Sequence, residues 1–158
     1  METQLAEDFK DLLKLLNLHE VKYLLIGGYA VSYHGYIRTT DDIDFFIGIS
    51  EENAEKINNV LIDFGFQGGV DKNLFLTKEN IVRLGAPPLR VELLTSISGI
   101  SFEECWENRV LDKIEGVSVS IISLRDLIVS IISLRDLIKN KSSTGRTKDL
   151  ADIEYLEM

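Results

Sequence analysis

The chain has 158 residues, of which 45% are hydrophobic and 27% charged, an ordinary balance for one globular domain with a substantial core. A formal net charge of −9 argues against broad, non-specific binding to nucleic acid, which depends on Lys and Arg neutralising phosphates. No apolar run approaches the roughly 20 residues of a membrane span, and the acidic N-terminus lacks the layout of a signal peptide. We therefore expect one domain over residues 1–158, located in the cytoplasm.

The first half of the chain predicts alternating helices and strands. Gly35 is the expected end of a short helix, and Ser50 and Gly65 are the expected caps of a longer one. In chain order, the predicted elements are an amphipathic helix at about 5–18, a strand at 22–27, a short helix at 30–33, a strand at 42–48 and a helix at 51–64.

The second half continues the alternation. Pro87-Pro88 indicates a tight loop, and Ser101 with Glu104 three residues later predicts a capping box at a helix start. The predicted elements are short apolar runs at 74–76 and 81–84, a strand at 89–94, a helix at 101–109 and a hairpin at 110–122. This order of elements indicates an α/β or α+β domain with a central sheet.

A tandem duplication follows: residues 119–128 recur without change as residues 129–138. We expect the first copy to finish the hairpin strand near Ile122 and to begin a helix at Ser123. The second copy would extend that helix or form a bulging second segment. An extension would add about 15 Å of helix and expose apolar side chains, which would favour self-association of the chain.

Two carboxylates, Asp42 and Asp44, stand inside the second predicted strand. Asp is depleted in strands and an unpaired buried carboxylate is costly, so both need partners. They share one face, because successive strand residues point to opposite sides. Such a pair behind the glycines Gly27-Gly28 favours a divalent metal and a phosphate, whereas pairing with Arg38 or another basic residue is the alternative.

A metal site of this kind normally needs a third acid on a neighbouring strand. Glu92 is the best candidate, because it is another acid inside an apolar run, whereas Asp71 lies in a glycine-rich loop. The pair Gly27-Gly28 has two interpretations. It is a plain tight turn, or it lets backbone amides approach a phosphate closely.

These motifs resemble those of the DNA polymerase β-like nucleotidyltransferase superfamily, above all the AbiEii toxin type and the minimal nucleotidyltransferases of toxin–antitoxin pairs. The resemblance spans about residues 20–156 and departs from the common pattern at Gly28, where many members have Ser, and at Glu92, where Asp is common. It rests on Gly27-Gly28, Ala30, His34-Gly35, Arg38-x-Thr40-x-Asp42-Ile43-Asp44, Arg90-Val91-Glu92-Leu93-Leu94, Phe102-Glu103-Glu104-Cys105-Trp106, Leu124-Arg125-Asp126-Leu127-Ile128 and Gly145-Arg146-x-Lys148-Asp149-Leu150.

The resemblance implies a mixed central sheet flanked by helices and transfer of a nucleoside monophosphate from an NTP to a hydroxyl on a protein or an RNA. It also implies that Asp42, Asp44 and Glu92 are catalytic and hold Mg²⁺ or Mn²⁺. The nucleotide-binding residues would be Gly27, Gly28, Arg38, Thr40, Lys141, Arg146 and Lys148. The alternative is a non-catalytic binding or antitoxin module with the same fold.

Overall fold

The computed structural model describes residues 5–36, 40–85 and 89–141, with side chains up to residue 136. Five α-helices and a short 3-10 helix at Lys72–Phe75 accompany one sheet in this part of the chain. The helices are Glu7–Leu18 (α1), Gly27–Tyr33 (α2), Glu51–Phe64 (α3), Phe102–Glu107 (α4) and Leu124–Lys141 (α5). The strands are Tyr23–Ile26 (β1), Asp42–Ile47 (β2), Ile81–Leu84 (β3), Arg90–Leu94 (β4), Val110–Ile114 (β5) and Val117–Ile121 (β6).

The six strands form one mixed sheet in the order β3-β4-β2-β1-β6-β5. The pairs β2–β4 and β1–β6 are parallel, whereas β1–β2, β3–β4 and β5–β6 are antiparallel. β1 and β2 are therefore central strands, and the predicted mixed sheet flanked by helices is confirmed.

Aromatic side chains pack on both faces of the sheet. On one face, the rings of Tyr23 and Phe45 meet edge to face at 5.4 Å, and the Tyr23 hydroxyl donates to Asn17 of α1. On the opposite face, Phe46 meets Phe102 of α4 at 5.2 Å. Because Phe45 and Phe46 are neighbours on β2 and point to opposite faces, this strand is packed on both sides.

Local signals in the sequence predicted several boundaries correctly. α3 begins after Ser50, whose hydroxyl accepts a hydrogen bond from the Asn53 amide at 3.0 Å, and it ends at Gly65, which has φ +119°. The turn between β5 and β6 consists of Glu115 and Gly116, both with positive φ, as the predicted hairpin requires.

One helix begins and another ends at a residue that differs from the prediction. α2 begins at Gly27 and not at residue 30, because Gly27 makes the sharp turn itself at φ +68° and the chain is helical from there. α4 ends at Glu107 and not at residue 109. The Arg109 side chain turns back there, donating to the Trp106 carbonyl at 2.7 Å and stacking on the Trp106 ring. The predicted loop at Pro87-Pro88 lies outside the described residues.

The duplicated decapeptide adopts two conformations. The first copy completes β6, and the Ser123 hydroxyl then accepts from the Asp126 amide at 3.1 Å at the start of α5. The second copy continues α5, as predicted for an extended helix. Equivalent residues therefore have different roles: Ile121 is fully buried in the sheet, and Ile131 is 9% exposed on the helix. Self-association through this segment stays a prediction.

Within the described residues, no helix combines the length and the apolar character that a membrane crossing demands.

Candidate active site

The candidate site lies where the first residues of β2 and β4 meet the last residue of β1. The parallel pairing of β2 with β4 sets Asp42 opposite Arg90 and Asp44 opposite Glu92. Paired residues on adjacent strands point to the same face at about 4.8 Å spacing. The sequence-predicted acids Asp42, Asp44 and Glu92 are thus brought to one face of the sheet, although they come from segments almost fifty residues apart.

Gly27 lies directly against one of these acids. Its predecessor, Ile26, is paired with Asp44 across β1 and β2. A Cβ atom on Gly27 would come within 2.2 Å of Asp44 Oδ2, and the residue has φ +68°, a conformation that side chains disfavour. Glycine is therefore required here for two separate reasons, space and backbone conformation.

Within the described residues, Arg83 and Arg90 bind carboxylates of this face, and neither was assigned to the site from the sequence. Arg90 Nη2 donates to Asp42 Oδ2 at 2.8 Å, and its Nε lies 3.6 Å from Glu92 Oε1. Arg83 Nε, on β3, donates to the same Glu92 oxygen at 3.0 Å. The alternative considered from the sequence for Asp42 and Asp44, pairing with a basic residue, is therefore observed for Asp42 with Arg90, and Glu92 is paired as well, with Arg83.

The alternation of side chains along β4 predicts that Arg90 lies on the same face as Glu92, because it stands two residues before it. Arg83 has no such local signal, because its position depends on the antiparallel register of β3 with β4, which pairs it with Glu92. The hydrogen bond to Asp42 is the main cause that raises the pKa of Arg90, and the charges of Glu92 and Asp44 act in the same direction.

The side chains of the cluster differ in their access to solvent. Glu92 is the most buried, at 11% exposed, and Asp42 is 27% exposed. Arg83 is half exposed on the edge strand β3, and Arg90 is one-third exposed. Glu92 is therefore held in the interior of the sheet, whereas its partner Arg83 already reaches water.

The donor atoms of this face suit a divalent cation in type. Carboxylate oxygens are what Mg²⁺ and Mn²⁺ prefer, and Asp42 Oδ1 is buried with no hydrogen-bond partner, so it has capacity for a ligand. Yet no three acidic, His or Cys side chains in the described part of the chain converge closely enough to hold a metal as they stand. The residues are therefore of the type that binds Mg²⁺ or Mn²⁺, but Arg83 and Arg90 already hold some of the carboxylate oxygens that a cation would need.

The other predicted nucleotide-binding residues are placed only in part. Gly28 is buried in the first turn of α2, and the Thr40 hydroxyl donates to the backbone carbonyl of Asp42 at 3.1 Å. Lys141 ends α5, where the backbone alone is described. Arg38, Arg146 and Lys148 lie outside the described residues.

A mixed sheet with acids on two adjacent central strands and a glycine against one of them defines the nucleotidyltransferase class of fold, and comparisons with known proteins agree. The chain belongs to the family described as nucleotidyl transferase of unknown function (DUF2204), whose model matches residues 5–155. Among curated proteins, none matches the sequence.

Solved structures share the fold at low sequence identity. A putative nucleotidyltransferase from Thermotoga maritima has a TM-score of 0.62 at 15% identity, over 85% of this chain and 86% of its own. ANT(2")-Ia, solved in complex with adenylyl-2"-tobramycin, has a TM-score of 0.60 at 14% identity, over 94% of this chain and 84% of its own. An antigenic nucleotidyltransferase-like protein from Paracoccidioides brasiliensis has a TM-score of 0.54 at 17% identity, over 98% of this chain and 78% of its own.

Proposed function

We propose that this chain transfers a nucleoside monophosphate from an NTP to a hydroxyl group on a protein or an RNA. The observation that carries the proposal is the alignment of Asp42, Asp44 and Glu92 on one face of two adjacent parallel strands. The close approach of the Gly27 backbone to Asp44, which leaves no room for a side chain, supports it further, because it sets the glycine turn directly against one of these acids. Family membership supports this reaction class, and the single domain would act in the cytoplasm.

In this proposal the acceptor hydroxyl oxygen attacks the α-phosphorus and its proton passes to water. The bond from the α-phosphorus to the bridging oxygen of the β-phosphate breaks, and pyrophosphate leaves with that electron pair. Asp42, Asp44 and Glu92 would hold Mg²⁺ or Mn²⁺, which supplies positive charge for the phosphates. Glu92 is the acid that would lie nearest the acceptor hydroxyl. Such a transfer depends on positioning and on charge neutralisation more than on covalent catalysis.

The nucleotide would lie beside Gly27, with its triphosphate against the backbone of the Gly27-Gly28 turn. Thr40 would support this position indirectly, because its hydroxyl binds the Asp42 carbonyl and so fixes the start of β2. Arg38, Lys141, Arg146 and Lys148 are the proposed cationic contacts to the phosphates. All four are proposed from the family resemblance.

The biological setting that we propose is a toxin–antitoxin-type system of a bacterium, with the AbiEii toxin type as the model. The acceptor would be a protein or RNA partner, and a second copy of the chain would dock through the duplicated segment. A small-molecule acceptor is an additional arm of the test, because the ANT(2")-Ia structure contains an adenylyl group on tobramycin.

A second candidate function is a non-catalytic binding or antitoxin module. One observation favours it: Arg90 and Arg83 already neutralise Asp42 and Glu92, so the cluster is stabilised without a metal. In that case the site is structural, and the acids contribute to the sheet by ion pairing.

Label transfer separates the two functions. Each α-labelled NTP is incubated with the protein, Mg²⁺ or Mn²⁺, and protein, RNA or aminoglycoside acceptors, beside an Asp42→Asn/Asp44→Asn variant. Asp41→Asn is the matched control, because Asp41 is an exposed neighbour just before β2. Transfer that survives in the control and disappears in the double variant supports the enzyme. An absence of transfer and of metal-dependent nucleotide binding would refute it.

A further inference from the structure

The two arginines and three acids form one charge cluster that crosses three strands. Arg83 on β3, Glu92 and Arg90 on β4, and Asp42 on β2 are joined in a continuous chain of contacts of 3.6 Å or less. A divalent cation needs these same carboxylate oxygens, so it competes with the guanidiniums for them.

We propose that Arg83 and Arg90 are exchangeable counter-ions, which hold the acids in the resting protein and move to the phosphates of the incoming nucleotide when a divalent cation binds. This inference rests on the proposed function and names a role for two residues of that site. Guanidinium suits both partners, because its planar set of N–H donors matches carboxylate and phosphate geometry equally well.

The exposure of the side chains indicates which partner moves in the exchange. Asp42 and Glu92 project from central strands, whereas Arg83 is half exposed on an edge strand and its long side chain can swing into solvent. Asp42 has one oxygen in reserve, because its Oδ1 is buried with no hydrogen-bond partner while Oδ2 is held by Arg90. A cation can therefore reach Asp42 only when the side chains around it move, which couples its binding to the displacement of Arg90.

The exchange predicts that the cation and the nucleotide bind cooperatively. A cation that binds alone must displace guanidiniums that have no new partner, which costs affinity. When a nucleotide binds as well, its phosphates accept the displaced guanidiniums, so each ligand strengthens the other by the same factor. Removal of one guanidinium should therefore have opposite effects on the two affinities.

The test measures Mn²⁺ binding by electron paramagnetic resonance of free Mn²⁺, with and without non-hydrolysable α,β-methylene NTPs. Without nucleotide, we expect Arg90→Gln to bind Mn²⁺ about tenfold or more tightly than wild type, because one competing positive charge is gone. With saturating Mn²⁺, we expect the same variant to bind the nucleotide about tenfold or more weakly. A purely structural role for Arg90 would weaken both.

Arg83→Gln is the second variant, with smaller changes of the same signs, and it covers the case in which Arg90→Gln fails to fold. Arg125→Gln on the exposed surface of α5 is the matched control and should change neither affinity. Mn²⁺ affinity that is unchanged or lower in both site variants overturns the exchange. If wild type binds Mn²⁺ and nucleotide through Asp42 in that case, the proposed function survives. If neither wild type nor variants bind them, both proposals fail.

Discussion

Gly27→Ala is the sharpest test of how the candidate site is built. The substitution places a Cβ atom 2.2 Å from Asp44 Oδ2 and imposes φ +68° on a residue with a side chain. The backbone part costs about 1–2 kcal/mol of unfolding free energy. The steric part adds about 1–3 kcal/mol, the usual cost of overpacking, because Asp44 must turn away from its position beside Glu92.

Gly116→Ala isolates the backbone part. Gly116 has φ +82°, close to the value at Gly27, but a Cβ atom there meets nothing within 4 Å. Urea denaturation of both variants therefore separates the two costs, and we expect Gly27→Ala to be the more destabilising by at least about 1 kcal/mol. Equal destabilisation by the two substitutions would refute the steric argument.

Measuring Gly27→Ala in an Asp44→Ala protein tests whether the Asp44 carboxylate causes the steric cost. Without the carboxylate, the Cβ of residue 27 loses its two closest contacts, so the cost of Gly27→Ala should fall towards that of Gly116→Ala. A coupling energy of about 1 kcal/mol or more in this double-mutant cycle is the expected result. No coupling would mean that Asp44 does not lie against Gly27.

Three further predictions concern the core. Burial raises the pKa of Tyr23 from 10.0 to about 12, so the folded state keeps the proton while the unfolded chain loses it. The free energy of unfolding should therefore fall by roughly 3 kcal/mol as the pH rises from about 10 to 12, and Tyr23→Phe should remove most of that slope in urea titrations. Ile121→Ala and Ile131→Ala change equivalent residues of the two decapeptide copies. Because Ile121 is fully buried and Ile131 is 9% exposed, we expect both to destabilise, by about 3–4 and about 2 kcal/mol in denaturant melts, and a neutral Ile131→Ala would mean that the second copy is not packed. Burial and the nearby Asp126 raise the pKa of Cys105 to about 12, so iodoacetamide at neutral pH should modify it only after denaturation, and rapid labelling of the native protein would contradict its placement.

Elements with strong local signals were predicted from the sequence with the correct boundaries. Ser50 and Gly65 cap α3 as expected, because an N-cap hydroxyl and a left-handed glycine act on their own helix ends and need no distant partner. The β5–β6 hairpin was predicted for the same reason. The start of α2 was missed, because a glycine with positive φ can end one element or begin the next, and the sequence carries no sign of which.

The sequence indicates the three acids of the candidate site but not the two arginines, Arg83 and Arg90, that contact them. Asp42, Asp44 and Glu92 could be found because a carboxylate inside an apolar run demands a partner. The partners themselves depend on strand register: Arg83 reaches Glu92 only because β3 and β4 pair antiparallel with Val82 opposite Leu93. Register between strands is set by the whole sheet, so it is not readable from either segment alone.

A crystal structure with Mn²⁺ and an α,β-methylene NTP would test the central claim most directly. The account predicts anomalous density for Mn²⁺ between Asp42, Asp44 and Glu92, with the triphosphate beside Gly27 and the guanidiniums of Arg83 and Arg90 turned towards phosphate oxygens. Nucleotide bound elsewhere, or both arginines still paired with Asp42 and Glu92 and no metal between the acids, would contradict it.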